Sequence, residues 1–525
     1  MTGKRSIIKA VFCLITLIAV RLLFEVKIAV AADFDFDYEV TYTVKENGLT
    51  SVTHDVTITN QTSTYYAQNY SLIISSERLE KVVASDDAGL LSPQVVVNSG
   101  QTRIFVPFTA KTVGLGSKYS FRIDYQSSNI AVRKGRIWEV IIPGVDEDDK
   151  IHSYLVRLNV PKSFAEPAYL TPAPGSDGVW NLGELAGQGI TAAYGQTQAY
   201  SFNLLYHLEN STSAKQLQEI TLPPQTAYQD IFLWRLSPPP QNVRLDVDGN
   251  WLGVYELEPK ESKRIIAEGS ALVYAIPREG FAEPNVSSQL YTREQAYWEF
   301  SPEIAKVAET LKTPRAIYDY VVNTLTYSYD RLEPGITRLG ANKALENPTQ
   351  AVCMEFSDLF VALSRKSGIP AREVHGYAST NNERLQPLSL VTDVLHAWVE
   401  YYDQERQIWI AVDPTWGNTT KGVDYFSKFD FNHLTFAILG EHSDYPYPAG
   451  SFRGDTPSKD VFVEFLEEIP QTPKTEIKIE LEKTDSYHSG GVEQTNILIR
   501  NVWAALYKPK GSLEIKGDVK LVTDL

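Results

Sequence analysis

Between residues 353 and 417 the hydrophobic period of the chain switches from helical to alternating, and this switch constrains the fold more than any other feature. Cys353 opens CMEFSDLFVALSRKSGIP, an amphipathic segment in which Phe356, Phe360 and Leu363 recur at helical spacing until Gly368 and Pro370 stop it. Two alternating runs follow, LHAWVEYY and QIWIAVDP, on either side of the polar turn Asp403-Gln404-Glu405-Arg406. A turn that closes symmetrically sets His396 directly opposite Asp413, with both side chains on one sheet face. A slip of one residue would send the carboxylate to the other face. A thiol in the first turn of a helix feels the positive end of the helix dipole, which favours the thiolate. A thiolate, an imidazole to exchange its proton and a carboxylate to orient that imidazole make a nucleophilic triad. Cys353, His396 and Asp413 are the candidates.

The cysteine count sharpens this reading. The chain holds two cysteines, Cys13 and Cys353. Lys4, Arg5 and Lys9 precede an apolar run over residues 10–20, and Ala29-Val30-Ala31 offers a small-residue cleavage site, so residues 1–31 read as an export signal. Phe12 occupies a position that a lipid-attachment signal at Cys13 would need small. Removing the leader makes Cys353 the sole thiol, with no partner for an internal disulfide. A lone thiol in an exported protein is a liability unless it works. No later run is long and apolar enough to span a bilayer, so the expectation is a secreted or extracytoplasmic protein, free or attached to the cell surface. It meets a membrane only if the leader stays uncleaved. The formal charge of −16 without a basic block excludes nucleic acid as a partner.

These motifs carry a resemblance. AVCMEFSDLF around Cys353, GIPAR ending at Arg372, Gly376-Tyr377, HAW from His396 to Trp398, and DPTWG from Asp413 to Gly417 occur in order, and together they resemble the catalytic core of the transglutaminase-like superfamily. The resemblance implies a papain-like core with Cys353 as nucleophile, His396 as general base and acid, and Asp413 as the group orienting His396. Ala351 departs from the pattern, which usually has glycine two residues before the cysteine. In the superfamily a polar or aromatic side chain upstream and the cysteine's own N–H stabilise the oxyanion; Gln350 or Tyr327 would supply the side chain here. Trp398 and Tyr377 are expected to line the cleft. Some animal members use calcium, but no EF-hand loop, HExxH, paired-cysteine zinc site, Walker loop or dinucleotide fingerprint occurs here, so no metal or cofactor is expected.

The rest of the 525-residue chain is read around this core. From Asp33 to about Pro277 short strands alternate with turns, opening with a hairpin across Glu46-Asn47-Gly48, which argues for antiparallel sandwich packing. Thr313-Pro314 starts a helix with Ile317, Val321 and Leu325 on its buried stripe. After a proline-containing linker, IKIELEKTDS, NILIRNV and SLEIKGDVKLV begin a further β-module. The expected fold class is α+β: a signal at 1–31, β-subdomains at 32–160 and 161–290, a transglutaminase-like domain at 291–466, and a partial β-module at 475–525. His375 reads as structural, His433 and His442 as solvated surface, and Glu400 as too distant from His396 to replace Asp413. Trp416 reads as core or cleft wall, and residues 426–450 as closing the domain.

The expected chemistry is acyl transfer on a protein or cell-wall peptide amide, with a thioester at Cys353 resolved by an amine or water. The alternative is a surface scaffold or binding protein that keeps the fold without activity.

Overall fold

A computed structural model describes residues 33–470 apart from short internal stretches, together with the backbone of two later strands, Ile477–Glu482 and Asn496–Asn501. The leader and the last expected strand, SLEIKGDVKLV, lie outside the described residues. The two later strands pair antiparallel, with Ile477 opposite Asn501. No helix among the described residues is long and apolar enough to cross a membrane.

The chain divides into two compact units. The first takes Ser51–Gln126 and Glu147–Leu158 together with the described residues up to Tyr42. Its strand Thr50–Asn60 alternates buried and partly exposed residues along its whole length. That is the period-two pattern of a strand with one face on a core. Val52, Val56 and Ile58 fill that core with Phe121 and Ile123. The expected opening hairpin is present: Phe34–Val44 and Thr50–Asn60 are sheet neighbours, and Gly48 turns the chain at φ +84°. A positive φ is the conformation that glycine adopts without steric cost.

The second unit holds Thr43–Thr50, Ser127–Asp146 and everything from Asn159 onward. Within it, Gln198–Glu209 pairs along its full length with Ser262–Val273, and on its other edge with Val461–Leu466. The chain therefore returns to this sheet after passing through the region of the cysteine. Tyr200, Phe202, Leu204 and Ile265 form a buried cluster with Leu395, Leu434 and Phe436, so this β-layer packs on one face of a further sheet.

That further sheet has four antiparallel strands in the order Ile408–Val412, Leu395–Asp403, Ala371–Ala378, His433–Leu439. The helix Cys353–Lys366 packs against it, with Phe356, Phe360 and Leu363 fully buried as their spacing predicts. Gly368 closes the helix: its N–H bonds Arg365 O, and the next N–H, of Ile369, reaches back to Ser364 O. This 5→2 and 6→1 pair is a Schellman stop built on a left-handed glycine. Thr313 caps the preceding helix, Pro314–Thr324, by accepting from Ala316 N, and Ile317, Val321 and Leu325 are buried.

Two expectations are corrected. The cysteine helix is buried on nearly every face rather than amphipathic, because Glu355, Asp358 and Arg365 are enclosed and satisfied. Asp358 accepts from Trp298 Nε1 (2.9 Å) and pairs with Arg338; Arg365 donates to the carbonyls of Ala371, Arg293 and Gly440. Charges inside a protein persist only with such partners. The hairpin register also differs. Its loop spans 404–407, ending on Gln407 at φ +53°, so Asp403 pairs with Ile408 and Val399 with Val412. Moving the loop by one residue shifts every pairing by two, an even number, so the face is kept while the direct His396–Asp413 opposition is lost.

Candidate active site

Cys353 is the first residue of its helix and has no accessible surface. The residue before it, Val352, is extended and has no side-chain acceptor, so the first-turn N–H groups are not capped from that position. Glu355 instead reaches back to Val352 N (2.9 Å) and also takes Leu339 N (2.8 Å). Ala351 sits in ordinary extended backbone at φ −85°, bridged to Tyr327, so nothing in its conformation demands the glycine usual there.

Asp413 lies one residue beyond the last rung of the ladder and begins a short helix, Pro414–Thr419, that the sequence reading lacked. One carboxylate oxygen, Oδ1, accepts from Thr415 N (2.8 Å) and Trp416 N (3.0 Å). The other, Oδ2, faces His396 Nε2 at 2.9 Å. The even register shift thus leaves the pair on one face, joined diagonally. Gly417, the end of the DPTWG run, has no room for a side chain: a Cβ there would lie 2.1 Å from the Tyr318 hydroxyl.

Both side chains of this pair are fully enclosed. Burial alone would lower His396, but the Asp413 carboxylate and the neighbouring Cys353 outweigh it and raise the imidazole to about 9. Burial would likewise raise Asp413, yet His396 and His433 hold its carboxyl far below the usual range. With Nε2 engaged by Asp413, the buried Nδ1 of His396 makes no hydrogen bond of good geometry, and Cys353 is close enough to raise the ring's basicity. The ring lies on Trp416 (centroids 5.0 Å, 23° between planes), which limits its rotation.

His433 is the residue the sequence reading misplaced. Instead of solvated surface it heads the fully buried strand His433–Leu439, with Nδ1 2.7 Å from Asp430 Oδ1 and Nε2 3.5 Å from Asp413 Oδ2. Asp430 is the stronger of the two carboxylates in overcoming burial and pushing His433 up to about 9. The signal that would have found it is HLTFAIL, a continuous apolar run with the histidine at its head, which marks a strand buried on both faces. His442 is exposed, as expected.

The other candidates separate. Tyr327 is buried, its hydroxyl has no hydrogen-bond partner, and after burial the charge of Cys353 is the strongest influence raising it. Gln350 is exposed. Trp398 is buried on the His396 face, 6.2 Å from His396 and 4.9 Å from His433 between ring centres. Tyr377 pairs with Leu395 on the opposite face and packs with the β-layer cluster. Gly376, opposite His396, is required: a Cβ there would fall 2.2 Å from Leu434 O and 2.7 Å from Trp398. His375 pairs with Glu373 on its own strand at 2.8 Å, consistent with a structural role, and Glu400 is taken by Arg372.

Donor atoms of His396, Asp413 and His433 lie within 4.8 Å of one another, a spacing a metal ion could bridge. The 2.9 Å hydrogen bond already uses two of those atoms, so a metal there would take His396 away from Asp413.

Residues 299–414 match the family model of the transglutaminase-like superfamily. The chain carries a transglutaminase-like core. A protein-glutamine gamma-glutamyltransferase of Pseudomonas aeruginosa is 23% identical over 290 residues, covering 48% of this chain and 43% of that protein. The uncharacterized protein YebA of Bacillus subtilis is 25% identical over 205 residues, covering 34% of this chain and 28% of YebA. The chain thus spans less than half the length of either curated relative. Among solved structures, a putative cysteine protease from Cytophaga hutchinsonii has 17% identity, covers 52% of this chain and 98% of that one, and superposes with a TM-score of 0.31. The periplasmic domain of TgpA from Pseudomonas aeruginosa, bound to ethylmercury, has 18% identity, covers 42% and 91%, and has a TM-score of 0.24.

Proposed function

We propose that the chain is an extracytoplasmic cysteine enzyme that transfers the acyl group of a protein or peptide amide through Cys353, His396 and Asp413. The observation that supports it best is the buried imidazole of His396: Asp413 holds its Nε2 at 2.9 Å, and Asp413 first and Cys353 after it raise the ring's basicity. The raised imidazole already holds the thiol proton on Nδ1 at rest, and Cys353 attacks the amide carbonyl as the thiolate. The oxyanion forms beside the Cys353 N–H and the unpartnered Tyr327 hydroxyl. His396 returns the proton to the leaving amine, and water or an amine resolves the thioester.

One observation favours a second reading, a protein that keeps the fold without catalysis. Cys353 and His396 expose 0% and 1% of their surface, so substrate has no direct line to the sulfur. Alkylation by iodoacetamide decides between them. An enzyme reacts well below neutral pH and loses that reactivity in H396A. A thiol that reacts only near the free-cysteine pKa of about 8.5, indifferent to H396A, overturns the enzyme reading.

A further inference from the structure

We propose that His433, anchored by Asp430, is a positioning residue that holds Asp413 against His396 and so keeps the His396 proton on Nε2. The inference rests on the enzyme reading above, but its central measurement does not.

The geometry is a buried line of alternating acids and imidazoles. Asp430 Oδ1 receives His433 Nδ1 (2.7 Å) and Asn432 N (2.8 Å), so the ring's position is fixed from its own loop. His433 Nε2 then faces the same Asp413 oxygen, Oδ2, that takes His396 Nε2. With Oδ1 occupied by two backbone N–H groups, the carboxylate is held at both ends. The two imidazoles lie 5.6 Å apart between ring centres, enclosed by Trp398, Trp416 and Phe429. One hydrogen bond from His396 and a second imidazole at ion-pair distance, 3.5 Å, converge on this oxygen, and the two together hold it as a charged acceptor. A carboxylate fixed in that state dictates which nitrogen of His396 carries the proton, and the other is left for the thiol.

Charge supports the arrangement from several elements. Facing His433 are His396 and Asp413 across the sheet and Asp430 on its own loop. Behind Asp430, Asn432 also donates to Glu139 (2.6 Å), which pairs with Lys134 (2.8 Å). Lys428 lies over the Tyr169 ring at 3.8 Å with Tyr425 beyond, and contributes a further positive charge near Asp430. Two imidazolium rings around Asp413 alone would leave a buried excess of positive charge; Asp430 supplies the second carboxylate that balances them.

The test uses the whole chain with nitrogen-15-labelled histidine, comparing wild type with H433L, H433Q and D430N. Imidazole nitrogen shifts report which nitrogen of His396 is protonated, with H396A identifying the signal. Read at about pH 10, where the ring has given up its second proton, wild type is expected to keep the remaining proton on Nε2. H433L is expected to move a substantial part of it to Nδ1 and to slow Cys353 alkylation at about pH 6 by about tenfold or more. H433Q, which places an amide donor toward Asp413, is expected to stay closer to the wild-type tautomer than H433L. D430N keeps the ring but loosens it, and moves the tautomer in the same direction as H433L by less. An unchanged His396 tautomer in both H433L and D430N overturns the proposal, and if H433L does not fold, D430N alone decides. A wild type without His396-dependent alkylation overturns the enzyme reading only, since the tautomer measurement still judges the role of His433.

Discussion

Replacing Asp413 separates its two jobs, because each of its oxygens does one. Asparagine in its place keeps a carbonyl oxygen for Thr415 N and Trp416 N, so the cap of the Pro414–Thr419 helix survives. Its amide nitrogen then points at His396 Nε2. A donor there forces Nε2 to accept and puts the ring proton on Nδ1, the nitrogen needed by the thiol. D413N should therefore lower acyl transfer by about 10³- to 10⁴-fold while remaining folded.

The stability change has a definite size and pH window. His396 rises from an ordinary 6.5 to about 9. Each unit is worth about 1.4 kcal/mol, so protonated His396 stabilises the fold by about 3 kcal/mol; Asp413, held down by His433 as well as His396, is depressed by more than this one interaction. A base whose folded pKa is raised contributes fully below its unfolded pKa and loses the contribution as pH rises through the folded one. The gap between wild type and D413N should therefore be about 3 kcal/mol at about pH 6, shrink from pH 6.5 upward, and vanish above about pH 9. D413A should lose about 1 kcal/mol more at every pH, for the missing cap. Urea unfolding between about pH 6 and pH 9.5 measures all three proteins. A wild-type-to-D413N gap that is flat across this range would refute the ion-pair reasoning.

Two further substitutions probe the surroundings. Y327F removes a buried hydroxyl with no partner, so stability should hold or rise by up to about 1 kcal/mol, while turnover of a glutamine-containing peptide falls about 10²-fold if that hydroxyl meets the oxyanion; unchanged turnover would remove Tyr327 from the mechanism. G376A places a methyl against Leu434 O and Trp398 and should cost about 3 kcal/mol in urea unfolding, whereas a change below about 0.5 kcal/mol would mean that the sheet relaxes there freely.

What was legible in the sequence is what local chemistry dictates. Cys353 at a helix start, the glycine stop at Gly368, the Thr313-Pro314 cap and the shared face of His396 and Asp413 follow from period, caps and parity. The exact pairing did not, because a left-handed Gln407 moved the loop by one residue, a choice that propensity leaves open. His433 was hidden for a different reason. Its environment comes from Asp413, twenty residues earlier in the chain, and from a loop whose Asp430 acquires meaning only once the sheet forms. The burial of Asp358 and Glu373 was equally invisible, since it depends on Arg338 arriving from a polar loop to pair with both. The return of Val461–Leu466 to Gln198–Glu209 is a pairing between strands about 260 residues apart, beyond any local pattern.

The start of the cysteine helix carries an argument that stability alone does not explain. A chain chosen only for helix strength would place Ser, Thr, Asn or Asp before Cys353, worth about 1 kcal/mol, and phenylalanine at Tyr327. This chain has Val352, which offers no acceptor, and a buried hydroxyl that bonds nothing. Its nearby carboxylate, Glu355, is turned away from the sulfur: it is tied to the N–H groups of Val352 and Leu339 and to Arg331. An acceptor at the cap would place negative charge beside a thiolate and compete for the donors of the first turn. Leaving a buried hydroxyl unpaired costs folding energy, and the cost makes sense if a group formed only during reaction is what it bonds. On the proposed reading that group is the oxyanion on the carbon bonded to Cys353. The buried Tyr327 hydroxyl, which bonds nothing at rest, would gain a partner in that oxyanion, while His396, whose basicity Asp413 and Cys353 raise, would supply the proton to the leaving amine.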